Sequence, residues 1–446
     1  MIARDLGLTV VPERETIAVG ARHAAFVVRI DPPPPPVRRT PVRLVLALDT
    51  SGSMAGDKLA AAQASAAALV RALGPDDTFA CIGFATRVTT LIAPTAMTAG
   101  GKSLAIAHLA HARAGGNTDL AGALLAALAL AGEGGAAGRV LLLTDGCPTE
   151  GVTDVGQIEA LARGARAAAT LSTFGFGRDV NPLLLNALAE TGRGNYTFIE
   201  NGEAPTLAIA AELGGILLTV AAGVSLSLRA TRGVRIHHVH RVGAALDSAR
   251  GEATIELPPL VAEEAVYVAF ELTWDDAMPE SLALATLHAR RTSDGGAISA
   301  EAYIGARVSP TEGPFVAEGA KELVLARIAV ALATAGASTG RPAGEVADAL
   351  AGELAKLSQA ARAAGVDGDP QVAFGLAMIA QAQRGLVASR HLEGRTRQDL
   401  VASAASVRGK RNTFMGPLDG DPRSPFLSKS QVSGLRLVTE KKPDEP

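Results

Sequence analysis

Arg43-Leu44-Val45-Leu46-Ala47-Leu48-Asp49-Thr50-Ser51-Gly52-Ser53-Met54 is the stretch on which the reading of the chain turns. The apolar run Leu44 to Leu48 predicts a strand buried on both faces, and it stops at Asp49 with hydroxyl residues directly behind it. One carboxylate and two hydroxyls at alternate positions, on a loop relaxed by Gly52, can turn toward one point and coordinate a hard divalent cation. With a single carboxylate close by, the site is rich in oxygen but weakly charged. That favours magnesium, which keeps water in its shell, over a tight calcium cage.

The spacing Asp-x-Ser-x-Ser at the carboxyl end of a parallel strand resembles the metal-ion-dependent adhesion site of von Willebrand factor A (VWA) domains. Two further stretches match the family's other loops. Gly115-Gly116-Asn117-Thr118-Asp119-Leu120 looks like the second loop and makes Thr118 the third hydroxyl ligand, while Thr144-Asp145-Gly146, behind the apolar strand Val140 to Thr144, looks like the third and makes Asp145 the second carboxylate. The resemblance implies that Ser51, Ser53 and Thr118 hold the ion directly and that Asp49 and Asp145 hold it through water. Magnesium is the expected ion, with manganese and calcium as alternatives. The plainer reading of the same residues is that the hydroxyls cap helices and the two aspartates solvate loop ends.

Composition narrows the function classes. The 446 residues suffice for two or three domains, and 42 basic against 45 acidic side chains leave a net charge of -3, without the footprint of a nucleic-acid or anionic-membrane binder. Two cysteines make no disulfide framework; Cys81 falls inside an apolar strand and Cys147 just after the third loop. The first residues, Met1 to Gly7, lack the apolar core of a secretory signal, so cytoplasm is the expected location. The longest uncharged stretch, Leu213 to Leu228, is short of the roughly 20 apolar residues of a membrane span.

In chain order, residues 1–31 read as two or three strands, too few for a domain, and 32–41 as a proline-rich linker. Strand and helix signals alternate over 42–220, which predicts a doubly wound, Rossmann-like α/β domain, and the loop motifs within it carry the resemblance to VWA domains. Period-two alternation over 221–310 predicts five or six short strands of an antiparallel β-sandwich, to which the strands of 1–31 would add; the α/β domain would then be an insertion in the sandwich. Residues 311–390 read as three alanine-rich helices forming a C-terminal helical bundle, and 391–446 as a largely disordered tail.

The resemblance implies a protein-interaction module in which the metal's open position takes an Asp or Glu carboxylate of a partner protein, and in which the last α/β helix, Thr206 to Thr219, can move as a switch. The layout resembles bacterial VWA proteins of the inter-alpha-trypsin-inhibitor-heavy-chain-like or calcium-activated-chloride-channel-like type. Such proteins often work beside a MoxR-type AAA+ ATPase or in multi-protein assemblies, which gives an adaptor reading in which the metal is structural.

A metal-dependent hydrolase is the third reading. The loops supply no histidine or lysine beside the hydroxyls, there is no Walker or Gly-x-Ser-x-Gly sequence, and Lys58 is expected to face water, so no catalytic residue is assigned. His238 and His240 share a strand face as a minor zinc candidate with no third ligand close by in sequence.

Overall fold

A computed structural model of the chain describes residues 6–35, 39–133, 138–165, 169–176, 180–199, 204–241, 244–275, 279, 281–292, 295–338, 341–389, 400, 401 and 404. The expected tail, 391–446, lies outside the described residues apart from 400, 401 and 404. The chain divides into two compact units, one of residues 37–218 and 411–446 and one of residues 1–36 and 219–410.

The first strands are β1 (Gly7–Pro12), β2 (Thr16–Ala18) and β3 (His23–Asp31). The α/β unit follows with β4 (Arg43–Asp49), α1 (Asp57–Ala72), β5 (Thr78–Phe84), β6 (Val88–Ala96), α2 (Ala99–Ala110), α3 (Leu120–Gly132), β7 (Gly138–Thr144), α4 (Val155–Ala165), β8 (Ala169–Phe176), α5 (Pro182–Thr191), β9 (Arg193–Ile199) and α6 (Ala204–Leu217). Its sheet has the order β6-β5-β4-β7-β8-β9. Only β6 runs antiparallel, forming the edge hairpin with β5.

β4 lies at the middle, parallel to β5 on one side and β7 on the other, and Leu44 to Leu48 are all fully buried. A strand covered on both faces must be apolar throughout, which is why the alternation seen elsewhere is missing here. On one face Leu44, Leu46 and Leu48 pack with Leu59, Ala62, Leu69 and Val70 of α1 and with Ile209 and Leu213 of α6. Glu212 of α6 is buried and accepts hydrogen bonds from Ser172 Oγ (2.7 Å) and from Asn195 Nδ2 (3.0 Å), which ties that helix to β8 and β9.

The entry into β4 is fixed by Asp77, whose side chain is fully buried. It accepts from Arg39 Nη1 at 2.7 Å and from the backbone N–H groups of Val42 at 2.9 Å and Gly74 at 2.6 Å. Burial pushes its carboxyl up, but the Arg39 guanidinium and the two N–H groups outweigh that and hold it below the usual carboxylate range.

The second unit continues with β10 (Thr219–Ala230), β11 (Val234–Val239), β12 (Ala245–Asp247), β13 (Glu252–Leu257), β14 (Leu260–Val261), β15 (Val266–Trp274), β16 (Ala283–Arg291), β17 (Ala297–Ile304) and β18 (Arg307–Ser309). These are more strands than the five or six expected, because the short β12, β14 and β18 carry too few residues to show a period. One sheet has the order β1-β3-β15-β11 and the other β12-β13-β10-β16-β17, with β14 also paired to β10. Their inner faces share one core that includes Phe26, Val28, Leu226, Leu228, Phe270 and Leu287. β3 sits between β1 and β15, so the strands ahead of the α/β unit and those behind it hydrogen-bond in a single sheet.

Helices α7 (Ala317–Ala337), α8 (Ala343–Ala363) and α9 (Pro370–Ser389) follow. The three helices read from the sequence over 311–390 pack on one another, and α7 also packs on the sandwich. Leu323 of α7 packs on Val11, Ala25, Val27 and Ala269, the outer face of the β1-β3-β15 sheet. Arg327 of α7 reaches Glu271 Oε1 at 2.5 Å, where His240 Nε2 lies at 2.7 Å, and Glu271 Oε2 meets His23 Nε2 at 2.9 Å. The rings of His238 and His240 lie 4.4 Å apart between centroids. No group of three or more His, Cys, Asp or Glu side chains among the described residues is arranged to hold a metal, and the neighbour of His240 is an arginine-bound carboxylate. Among the described residues no helix is long and apolar enough to cross a membrane.

A carboxylate whose folded pKa is depressed stabilises the fold above its unfolded pKa, near 3.9, and loses that contribution as pH falls through the folded value. Asp77→Asn should therefore lower the stability of the α/β unit by about 2–3 kcal/mol at pH 7, at the low end for a buried pair because Arg39 is partly exposed. The gap between variant and parent should close at pH values below the folded pKa. Urea unfolding of both proteins at pH 7 and at successively lower pH from the unfolded carboxylate pKa downward checks this, and a gap that never narrows would show that the charge is not what matters.

Candidate metal centre

Three loops meet at the carboxyl ends of β4 and β7, where parallel strands of this topology expose their binding crevice, although only the first and third follow a strand and the second connects α2 to α3. The first follows β4 and contains a single 3-10 turn, Gly52–Met54, before α1. The second precedes α3, and the third follows β7. They are knitted to one another through the backbone. Gly115 N donates to Thr50 O (2.8 Å) and Gly52 N to Gly116 O (3.0 Å), joining first to second; Thr149 N and Glu150 N donate to Thr118 O (3.0 and 3.2 Å), joining second to third. Gly116 adopts φ +84°, and a Cβ there would fall 2.6 Å from Thr86 Oγ1, so the second loop can approach this closely only as glycine.

All five side chains singled out from the sequence gather on this patch. Asp49 and Asp145 are buried, as are Ser51 and Thr118, while Ser53 is exposed. Ser53 Oγ donates to Asp145 Oδ1 at 2.7 Å, across 92 positions of sequence, and lies 3.0 Å from Ser51 Oγ. Since the Ser53 proton points to Asp145, Ser51 is the donor in the second contact. A Cβ built on Gly146 would lie 3.8 Å from both the Ser53 and the Thr118 hydroxyl oxygens, so these two groups, from different loops, face a common point. Asp119 is not among them. It caps α3, accepting from Gly122 N at 2.9 Å.

Two contacts were not foreseen. Thr144 Oγ1 donates to Asp49 Oδ2 at 2.5 Å, while Asp49 Oδ1 accepts from Ser51 N at 2.8 Å. Each oxygen of Asp49 is thus held by a neutral donor. Thr144 was already part of the third-loop motif, so the missing signal was that its hydroxyl turns back along the sheet toward the neighbouring strand.

Lys58 is a correction. It does not face water alone: its Nζ lies 2.5 Å from Asp145 Oδ2, and its side chain is 38% exposed. The first turn of α1 starts so soon after the 3-10 turn that the lysine folds back over the loop it has just left.

The donor set suits a hard divalent ion. Burial pushes the Asp49 carboxyl above the usual range, the hydrogen bonds from Thr144 and Ser51 act against this, and the nearby Asp145 charge raises it further. Two neighbouring buried carboxylates of this kind are eased by a cation, and the hydroxyl oxygens beside them are ligands that magnesium and manganese accept.

Residues 42–198 match the family model described as von Willebrand factor type A domain. This part of the chain is a VWA domain. The protein is 32% identical over 191 residues to uncharacterized protein YfbK of Escherichia coli strain K12, an alignment covering 42% of this chain and 33% of that one. It is also 32% identical over 169 residues to uncharacterized protein sll0103 of Synechocystis, covering 37% and 39% of the two chains. The matched region thus spans less than two fifths of either relative's length.

Among solved structures, the fold is shared with a von Willebrand factor type A protein from Catenulispora acidiphila (TM-score 0.67, 16% identity, covering 91% of this chain and 96% of that one). It is also shared with the ArnB paralog VWA2 from Sulfolobus acidocaldarius (TM-score 0.61, 16% identity, 92% and 100% covered).

Thr144→Val keeps the side-chain shape and removes the donor to a fully buried oxygen of Asp49. It should destabilise the VWA domain by about 1–3 kcal/mol, read as a lower urea midpoint, whereas Thr144→Ser should retain most of the parent's stability.

Proposed function

We propose that the VWA domain binds a partner protein through a divalent cation, magnesium by preference, held at Ser51, Ser53, Thr118, Asp49 and Asp145. The observation that carries this reading is the convergence of Ser53 Oγ, Thr118 Oγ1 and Asp145 from three loops that are hydrogen-bonded to one another. When bound, the ion supplies an electrophilic position open to an exogenous oxygen ligand.

The chain's own residues do the rest. Ser51 and Ser53 present oxygens in sequence from a loop that β4 holds rigidly, Thr118 closes the set from the second loop, and the two carboxylates balance charge from beneath. The exposed side of the patch, at Ser53, is where a partner's Asp or Glu carboxylate would enter. Affinity for the partner then depends on both the metal and that acidic residue. The role is binding rather than turnover: the groups around the hydroxyls are carboxylates already engaged by donors, and the Lys58 amine beside them is paired with Asp145. The family resemblance supports a place in a multi-protein assembly, with an AAA+ ATPase of the MoxR type as one candidate partner.

Calorimetric titration of the full chain with magnesium and with manganese should show uptake of one ion, abolished by Asp49→Ala. Proteins retained by the immobilised chain in magnesium but released by EDTA should lose binding when an exposed Asp or Glu of theirs is changed to Ala. Absence of any metal uptake by the folded parent sinks the reading. Metal uptake with partner binding unaffected by EDTA leaves an adaptor in which the ion is structural.

A further inference from the structure

The two carboxylates beneath the hydroxyls are treated differently by the fold. Asp49 is satisfied by dipoles, the Ser51 N–H and the Thr144 hydroxyl. Asp145, whose side chain is fully buried, has Ser53 Oγ on one oxygen and the Lys58 ammonium on the other. A buried carboxylate with one neutral donor is poorly compensated, so Lys58 supplies a charge that the site otherwise lacks. It comes from the first turn of α1, on the helix that packs under β4, so its position is set by the core rather than by the loops. It also reaches the Asp145 oxygen that Ser53 leaves free, so it does not compete with Ser53 for the same atom.

We propose that Lys58 is a tethered counter-ion of the metal centre: it holds Asp145 and the third loop in place when no metal is bound, and it weakens metal binding while leaving the loaded site with a surplus positive charge. This rests on the metal-dependent reading above and adds the setting of its affinity. With Asp49 and Asp145 as the acidic members of the five side chains named above, a divalent ion alone would bring that cluster to neutrality. With Lys58 retained, the loaded cluster is cationic and attracts an incoming carboxylate more strongly than the ion and two aspartates would. The same ammonium repels the incoming divalent ion across Asp145. The domain is thereby ready-folded without metal, takes metal up less tightly, and offers a more attractive vacancy once loaded.

The test compares the full-length parent with Lys58→Met, which keeps the aliphatic stem, and with Lys58→Arg, which keeps the charge. In manganese titrations Lys58→Met should bind the ion about tenfold more tightly than the parent, and Lys58→Arg should bind it as the parent does. Thermal unfolding gives a second readout. In EDTA, Lys58→Met should melt several degrees below the parent, and in saturating manganese the difference should vanish or reverse. A lysine that merely packs the helix start would lower the melting temperature equally in both conditions and leave the affinity unchanged, which overturns the proposal while the metal reading survives. If neither parent nor Lys58→Met takes up manganese, both readings fall together.

Discussion

The α/β unit depends on β4 being buried on both faces between β5 and β7. A strand in that position has no solvent side, so after Arg43 at its start the next polar residue comes only at its carboxyl end, and that residue is Asp49. The neighbouring strand β7 is in parallel register, with Leu48 opposite Leu143, so Asp145 emerges close to the same edge. The two carboxylates are brought together by hydrogen-bonded register rather than by loop flexibility. The loops add the hydroxyls to a geometry that the sheet has already set. This is why contacts such as Ser53 to Asp145 form across long separations in sequence.

How much could be read from the sequence differs by element. Asp49, Ser51 and Ser53 were legible because they are spaced two apart directly behind an apolar run, and local spacing survives folding. Thr118 and Asp145 followed from short loop motifs placed before a helix and after a strand. Lys58 was misjudged because its role depends on the direction in which α1 leaves the 3-10 turn, which neither hydrophobic periodicity nor a motif encodes. The bonds of Glu271 to His23, His240 and Arg327 were out of reach for another reason: they come from strand pairing and helix docking between distant segments.

The docking of α7 on the sandwich has a counterpart in the sequence of β3. Ala25-Phe26-Val27-Val28 in β3 is an unbroken apolar run, and all four residues are buried. Phe26 and Val28 face the sandwich core, while Ala25 and Val27 face α7. An unbroken apolar run in an antiparallel strand therefore pointed to a second layer over the sheet, just as the run in β4 did in the α/β unit.

The insertion of the α/β unit between β3 and β10 also bears on biosynthesis. The central partners of the first sheet, β3 and β15, are separated by more than two hundred residues, so Phe26, Val27, Val28 and Ile30 leave the ribosome long before Val266–Trp274 can pair with them. At about 5–20 residues per second, translation keeps this greasy segment waiting for roughly ten seconds to a minute. During that interval the nascent chain carries an orphan β-ribbon, a natural client for chaperones, while the inserted domain is already able to condense behind it.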